Sequence, residues 1–562
     1  MTRNTLTGAE AMVRMLDAYD VRHVFGLCGD TTLPFYDALY RLDHGIEHIL
    51  TRDERSAAYM ADGYARVTGR PGVCEGPSGG GATYILPGLV EATESSVPIL
   101  AITSDVGTRS RGHYPLTELD QAGLMAPLTK SAQVIQHADQ VPDAVRAAFR
   151  TMTTGCPGAA HLGFPIDVQR GTAEADSLWH DPAHCRFPAY PAGPDPVAIE
   201  ALREALLSAR SPLVICGGGI VLSGAEAAFA QLVEKLDIAV ATTISGQGAL
   251  PEKHPNCLGV VGSNGGVPET RGIVEAADLV FFIGCRAGSV TTELWRAPRK
   301  GTRVLHLDSD PMVIGASYPT EVGVVADARL GLEALNTALA NYKTEGFGGA
   351  AWIAPAKARK WQVFSERAAS TAQPIRPERT IQALRRVLDD DAIVVGDPGT
   401  PCPFISAYYE VRRTGRWLFS NRAHGALGYA MSAAMGAAIG RPGHKVVALM
   451  GDGSFGFTCG ELETAVRRDL PITFIVFSNA VYGWIKAGQK TKFDERYFSV
   501  DFDRTDHAAV ANAFGVKSYQ VSEPDMLETV LKKALAHGGP SLVDIISQPL
   551  QEATAPVSEW IA

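Results

Sequence analysis

The sequence predicts an α/β chain of three doubly wound parallel-sheet domains, and three observations carry that prediction. Short β-rich apolar runs alternate with helical patterns along most of the 562 residues, as parallel sheets with helices on both faces require. A chain of this length exceeds what one hydrophobic core serves. Two stretches break the alternation: about 171–196, containing FPAYPAGPDP, and about 343–377, containing EGFGGAAWIAPAKARK and ending in QPIRP. Both read as connections. The expected blocks are therefore residues 1–172, 195–342 and 375–548, with 549–562 as a C-terminal tail.

Composition excludes several classes of function. The net charge is −10, charged residues are 20% of the chain, and no basic run is present, which disfavours a nucleic-acid partner or an anionic membrane surface. The start, MTRNTLTGAEAMVRML, lacks the apolar segment of a signal peptide, and no apolar stretch reaches about 18 residues. The cytoplasm is the expected location. Nine cysteines without a CxxC pair suit reduced thiols rather than a disulfide or zinc framework.

Within the blocks, the first and third each open with a strand ending in glycine, VRHVFGLCGD and AIVVGDPGT, which suggests a shared topology. In the third block KVVALM (445–450) reads as a strand, GDGS as a tight turn, GELETAVRRD as a helix with Gly460 near its start, and ITFIVFSN as the next strand. Asp452 and Asn479 then fall at the carboxyl ends of strands, where open parallel sheets bind ligands. A carboxylate, an amide oxygen and the Val481 carbonyl form a hard-oxygen set suited to Mg²⁺. Gly451 and Gly453 let the backbone approach a diphosphate, and Ser454 donates to it. Taken alone, GDG is equally a strand-to-helix turn and Asn479 a loop residue. In the first block EHILTRDER reads as strand and turn, and Glu54 opens the helix ERSAAYMADGYARVTG, which Gly69 ends. In isolation Glu54 merely favours a helix N-terminus.

GDG, 24 residues, then SN resembles the diphosphate signature of thiamine-diphosphate enzymes, with Ser478 in place of the usual first Asn. VFGLCGDTTLPFYDAL, RDERSAAYMADGYARVTGRPGV, SGGGATY, PGAAHLGFPIDV and HGALGYAMSAAMGAAIG extend the likeness over nearly the whole chain, to the acetohydroxyacid synthase and 2-oxo acid decarboxylase superfamily. The resemblance implies a pyrimidine domain, a middle nucleotide-fold domain and a diphosphate domain. It also implies thiamine diphosphate and Mg²⁺ as cofactors, with Asp452, Asn479 and Val481 on the metal. Gly399, Thr400, Gly451, Gly453, Ser454, Tyr482 and Gly483 fall at cofactor-binding positions. Glu54 aligns with the carboxyl that partners the aminopyrimidine ring, reaching a cofactor held by the other subunit, so a homodimer core within a homotetramer is expected. Leu427 aligns with the apolar wedge that bends the cofactor, and the Gly425 carbonyl with the acceptor of its amine. In the middle block SPLVICGGGIVLSG, FFIGCRAGSV and RVLHLDSDP place Asp308 and Arg286 where an adenine nucleotide would sit. Gly217-Gly218-Gly219 does not complete GxGxxG, and FAD or ADP stays an open alternative.

The reaction follows from pocket residues that mix the habits of two subfamilies. Asp30 stands where decarboxylases carry a catalytic Asp, and His113 near their His pair. Against this, the decarboxylase Glu aligns with Ile485, beside Trp484. The synthase Phe-Gln pair becomes Leu116 and Thr117, and a synthase Trp becomes Gly488, giving a roomier acceptor pocket. The expected function is decarboxylation of a 2-oxo acid followed by ligation to a second carbonyl compound, as in acetolactate synthases. Alternatives are simple release of an aldehyde, or a specialised relative acting on a sulfoacetaldehyde, acyl-CoA or cyclic diketone substrate. A rival of another class is a serine hydrolase: Gly76-Pro77-Ser78-Gly79-Gly80 matches G-x-S-x-G, with Asp397 and His424 as later acid and base. A non-enzymatic regulatory subunit is disfavoured because Glu54, Asp452 and Asn479 are all intact.

Overall fold

The computed structural model describes residues 5–343 and 345–558; the first four residues of the expected first block, Thr344 in the second connection and 559–562 of the expected tail lie outside them. The chain forms two compact units, one of Met1–Tyr190, Asn421–Gly443 and Thr458–Leu470, the other of Pro191–Ser420, His444–Phe457 and Pro471–Ala562. Three six-stranded parallel sheets lie within them.

In the first unit the strands are β1 (His23–Gly26), β2 (Glu47–Leu50), β3 (Gly72–Gly76), β4 (Ile99–Asp105), β5 (Ser131–Val134) and β6 (Ala160–Pro165). Their spatial order is β2-β1-β3-β4-β6-β5. A short antiparallel pair, Thr5–Thr7 with Thr172–Glu174, ties the two ends of this block together. Every residue of β3, β4 and β6 is buried, as strands covered on both faces must be. The second unit holds the other two sheets. One contains β7 (Pro212–Cys216), β8 (Ala239–Thr242), β9 (Cys257–Val260), β10 (Leu279–Ile283), β11 (Arg303–Asp308) and β12 (Val322–Val325), ordered β9-β8-β7-β10-β11-β12. That is the 3-2-1-4-5-6 order of dinucleotide-binding folds. The last contains β13 (Ile393–Gly396), β14 (Leu418–Ser420), β15 (Val446–Gly451), β16 (Ile472–Ser478), β17 (Lys517–Val521) and β18 (Ser541–Ile546), ordered β14-β13-β15-β16-β18-β17. The first and last sheets thus share one strand order, 2-1-3-4-6-5. Their order reverses between the first and third strands, so each has its ligand crevice at the carboxyl ends of that pair.

The Glu54–Thr68 helix packs against the Tyr429–Gly440 helix within the first unit. Glycine permits the approach: a Cβ at Gly63 would lie 2.2 Å from the Ala433 carbonyl oxygen, and one at Gly436 1.9 Å from that of Met60. Asp53 caps the first helix by accepting from Arg55 N, and Gly69, at φ +68°, ends it. Two expectations need correction. GDGS is not a free turn, because a helix, Asp452–Thr458, starts directly at the end of β15. Its first acid suits the positive end of the peptide dipoles. The second connection contains a 20-residue helix, Gly349–Ala368; Pro355 and the flanking glycines masked a segment that buries Ile353, Lys360 and Phe364. Among the described residues no helix is long and apolar enough to cross a membrane.

Candidate active site

The crevice of the last sheet is built around Asp452. Its carboxylate, at the end of β15, accepts from the backbone N–H of Asn479 (2.7 Å) and Ala480 (2.6 Å) with one oxygen and of Gly453 (2.8 Å) with the other. Asp452 therefore stitches the end of β15 to the end of β16. Burial pushes its carboxyl above the usual aspartate range, opposed by those three N–H groups. Asn479 points its amide nitrogen at Thr400 Oγ1, 3.4 Å away, and among the described residues its buried Oδ1 has no partner. Ala480 takes up φ +58°, which turns the chain so that Val481 pairs with Asp501. Gly399, at φ +94°, and Gly451 both face open space where a side chain would stand. Gly453 has no such room, since a Cβ there would lie 2.7 Å from the Tyr482 ring. Gly483 starts the Gly483–Lys492 helix, and a Cβ there would come within 3.2 Å of Thr400 Oγ1. Ser454 donates to the buried carboxylate of Asp397 (2.5 Å).

These residues fit a magnesium-bridged diphosphate. An orphaned amide oxygen beside a buried carboxylate is a hard-oxygen pair short of its cation. The open glycines leave space for the phosphates.

The first unit carries the second half of the predicted residues. Glu54 is buried in a notch cut by two glycines: a Cβ at Gly76 would lie 3.2 Å from its Cγ, and one at Gly81 3.1 Å from its Oε1. Burial, reinforced by Asp53 and Glu75, pushes its carboxyl above the usual glutamate range. Gly425 (φ +74°) and half-buried Leu427 sit in a loop that the sequence alone left unexplained. Asn421 donates to the Ala426 carbonyl, and buried Glu91 accepts from the N–H of Ala423 (3.2 Å) and His424 (2.8 Å). Glu91 is in turn held by Arg66 (3.2 Å) and Ser95 (2.6 Å), and Arg66 by Asp62, which also accepts from Tyr429.

Asp30 and His113 are both exposed, and no hydrogen bond or ion pair joins them among the described residues. Thr117, at φ +72°, closes a chain of hydroxyls: its Oγ1 lies 2.7 Å from Ser78 Oγ, which is 3.1 Å from Thr31 Oγ1, itself 2.6 Å from Ser104 Oγ. Among the described residues Ser78 thus has hydroxyl partners and no imidazole, and Asp397 is engaged by Ser454. That removes the support for a hydrolase. Leu116 is 90% exposed and Ile485 55%, while Trp484 packs against the core of its sheet and Gly488 is buried. In the middle sheet the glycine turn is filled by the chain itself, since a Cβ at Gly217 would lie 2.1 Å from the Gly284 carbonyl oxygen.

Sequence reasoning missed His507. Its ring lies 3.3 Å from Ser478 Oγ, 3.4 Å from Asp544 and edge-on to Phe455. The replaced Asn of the signature was the available signal, because a shorter Ser leaves room for a partner from the next helix.

Comparison with known proteins places the chain in a family. Residues 6–124 match the N-terminal TPP binding domain of thiamine pyrophosphate enzymes, 199–335 their central domain and 397–545 their C-terminal TPP binding domain. Thiamine pyrophosphate and thiamine diphosphate are one compound. A probable acetolactate synthase large subunit of Methanocaldococcus jannaschii is 32% identical over 561 residues, covering 97% of this chain and 93% of that protein. The acetolactate synthase isozyme 3 large subunit of Escherichia coli is 30% identical (94% and 92%), and the acetolactate synthase large subunit of Corynebacterium glutamicum 31% (96% and 87%). With all three domains matched and the relatives aligned over most of their length, the chain belongs to the thiamine pyrophosphate enzymes and is an acetolactate-synthase-like member of that family.

Proposed function

We propose that the protein decarboxylates a 2-oxo acid and ligates the remaining fragment to a second carbonyl compound, forming a 2-hydroxyketone. The observation that carries this is the Asp452–Asn479 crevice with its unpartnered amide oxygen, matched in the first unit by a buried acid, Glu54. Thiamine diphosphate, when bound, would supply a nucleophilic carbon and an electron sink for decarboxylation. Asp452, Asn479 and the Val481 carbonyl hold Mg²⁺. Gly399, Thr400, Gly451, Gly453, Ser454, Tyr482 and Gly483 receive the diphosphate. Glu54 holds and returns a proton at the aminopyrimidine ring, for which a carboxyl raised by burial is suited. Leu427 would pack against the bound cofactor, and the Gly425 carbonyl would accept from its amine.

Ile485 decides the outcome. An alkyl group where a decarboxylase carries an acid withholds the proton that would release an aldehyde, so a carbonyl acceptor is captured instead. Thr117 and the hydroxyls behind it present donors to a polar substrate, and Gly488 leaves the acceptor side without a bulky ring. Asp30 and His113, both exposed, serve proton traffic. The Glu54 half-site of one copy is completed by the Asp452 half-site of another, so the working form is a cytoplasmic homodimer or a tetramer built from it.

The test incubates the protein, loaded with Mg²⁺ and thiamine diphosphate, with a panel of 2-oxo acids, with and without aldehyde acceptors, and follows CO₂ and products by NMR. Hydroxyketones as major product are expected. Aldehyde alone at high acceptor concentration would overturn ligation, and no turnover of any 2-oxo acid would overturn the substrate class.

A further inference from the structure

The loop that carries Gly425 and Leu427 is anchored by a buried acid to which the reaction above gives no part. Asn421 to Gly428 form neither helix nor strand, and Ala423, His424 and Gly425 are exposed. Glu91, by contrast, is 0% exposed on the Leu86–Glu94 helix. Gly88, one turn earlier, lets that helix close on the Glu54–Thr68 helix, since a Cβ there would lie 2.2 Å from the Ala58 Cβ. The same face brings Glu91 to Arg66. Its Oε1 accepts from Arg66 Nη2 (3.2 Å) and Ser95 Oγ (2.6 Å), and its Oε2 accepts from the N–H groups of Ala423 (3.2 Å) and His424 (2.8 Å). Arg66 also donates to both oxygens of Asp62 (2.7 and 3.2 Å), and Asp62 accepts from Tyr429, the first residue of the helix that follows the loop. One buried cation thus ties down both ends of the loop through two acids. Between those ends Asn421 donates to the Ala426 carbonyl. The Gly425 carbonyl therefore lies between a peptide fixed by Glu91 and a peptide fixed by Asn421.

We propose that Glu91 is a positioning residue, which holds the Asn421–Gly428 loop so that the Gly425 carbonyl stands where it accepts from the amine of the cofactor. This rests on Gly425 being that acceptor in the reading above. Glycine is the residue whose carbonyl is least constrained by its own backbone, and Gly425, at φ +74°, has open space where a side chain would stand. The direction of its carbonyl is then set by the peptides on either side. Neutralising Arg66 does not by itself account for Glu91, because Asp62 already meets that guanidinium through two hydrogen bonds. What Glu91 adds is an oxygen turned to the loop. The contact does not depend on the charge of the acid. Burial is the largest influence on this carboxyl and raises it, with Arg66 opposing and Asp62 reinforcing, yet a proton carried on Oε1 leaves Oε2 an acceptor for both N–H groups.

The experiment measures, by calorimetry on the full chain with Mg²⁺, the affinities for thiamine diphosphate and for its analogue with hydrogen in place of the 4′-amine. Amide hydrogen exchange of peptides covering Asn421–Gly428, in the chain without cofactor, is the second readout. The parent is expected to prefer the amine form by about 2–10-fold, the weight of one hydrogen bond. In Glu91→Gln the amide oxygen turns to Arg66 and the NH₂ group meets the N–H groups of the loop, so Ala423 and His424 lose protection and the preference for the amine form falls toward one. Ser95→Ala removes one donor from Oε1 and moves the ratio the same way by less, and it decides the matter if Glu91→Gln does not fold. A merely structural role lowers stability, or both affinities together, and leaves their ratio where it was. An unmoved ratio in the deciding variant overturns the proposal and leaves Gly425 as the acceptor; a ratio of one in the parent overturns Gly425 as the acceptor and the proposal with it.

Discussion

The sheets β1–β6 and β13–β18 share a strand order and put their residues to opposite uses. In β13–β18 the crevice is a cradle of glycines, backbone N–H groups and one carboxylate already engaged by three of them. In β1–β6 the same position holds carboxyls, Glu54 and Glu75, with a line of hydroxyls from Thr117 to Ser104. Topology thus sets where a ligand is met, and side-chain choice sets which end of the ligand is met there. A diphosphate with its metal asks for dipoles and open backbone. A protonatable ring asks for an acid kept out of water.

The comparison breaks most sharply at Asp452. Its replacement by Ala removes the proposed metal carboxylate and also unties the N–H groups of Asn479 and Ala480 from β15. Thiamine-diphosphate affinity is expected to fall by more than the ~10–100-fold that follows loss of a mere supporting partner at a metal site. Unchanged affinity in calorimetry would refute the metal assignment. Glu54→Gln should differ in kind, because in the proposed reading the first sheet handles a proton and not the phosphates. Binding persists, and C2 exchange slows by on the order of 10²–10⁴-fold, the usual weight of an acid–base group. If that variant instead lost the cofactor, the division of labour between the sheets would be wrong.

Much of this was legible in the sequence, for physical reasons that also explain the rest. Asp452 and Asn479 stand out because a strand, a turn and a helix of fixed length separate two strand ends that must meet one ligand. Glu54 is legible because its helix has a cap on either side, at Asp53 and Gly69. Glu91 is not, since it is held by Arg66 and Ser95 but acts on Ala423 and His424, more than 300 residues onward. Glu75 was passed over although a lone acid inside GVCEG is a signal in itself, because its meaning lies in Tyr36 and His48, which other elements deliver. The Gly349–Ala368 helix was hidden by the proline and glycines that local pattern reading treats as breaks.

The smallest expected effect concerns one buried acid in each unit, both pushed up to about 7 chiefly by burial: Glu461 in the first and Glu252 in the second. A carboxyl raised in the folded state favours folding fully below its unfolded value, near 4.5, and that contribution is lost as pH rises through about 7. Both units should therefore weaken between pH 5 and pH 8. The surroundings differ, however. Glu461 accepts from Arg52 N (2.8 Å) and Thr464 Oγ1 (2.7 Å), and Asp53 is the charge that acts on it. Glu252 accepts from Gln247 (2.9 Å) and faces the ammonium of Lys360, which is 2% exposed. Glu461→Gln keeps an acceptor and removes the costly ionisation, so it should stabilise its unit at pH 8 relative to pH 5 by about 1–3 kcal/mol. Glu252→Gln strips a buried cation of its counter-charge, and the penalty of that unpaired ammonium outweighs the gain. Amide hydrogen exchange at pH 5 and pH 8 can follow each unit separately, using peptides from Thr458–Leu470 and Gly349–Ala368. Stronger protection of the first peptide in Glu461→Gln and weaker protection of the second in Glu252→Gln is the expected pair. Equal responses would show that the Lys360 charge does not distinguish the two sites.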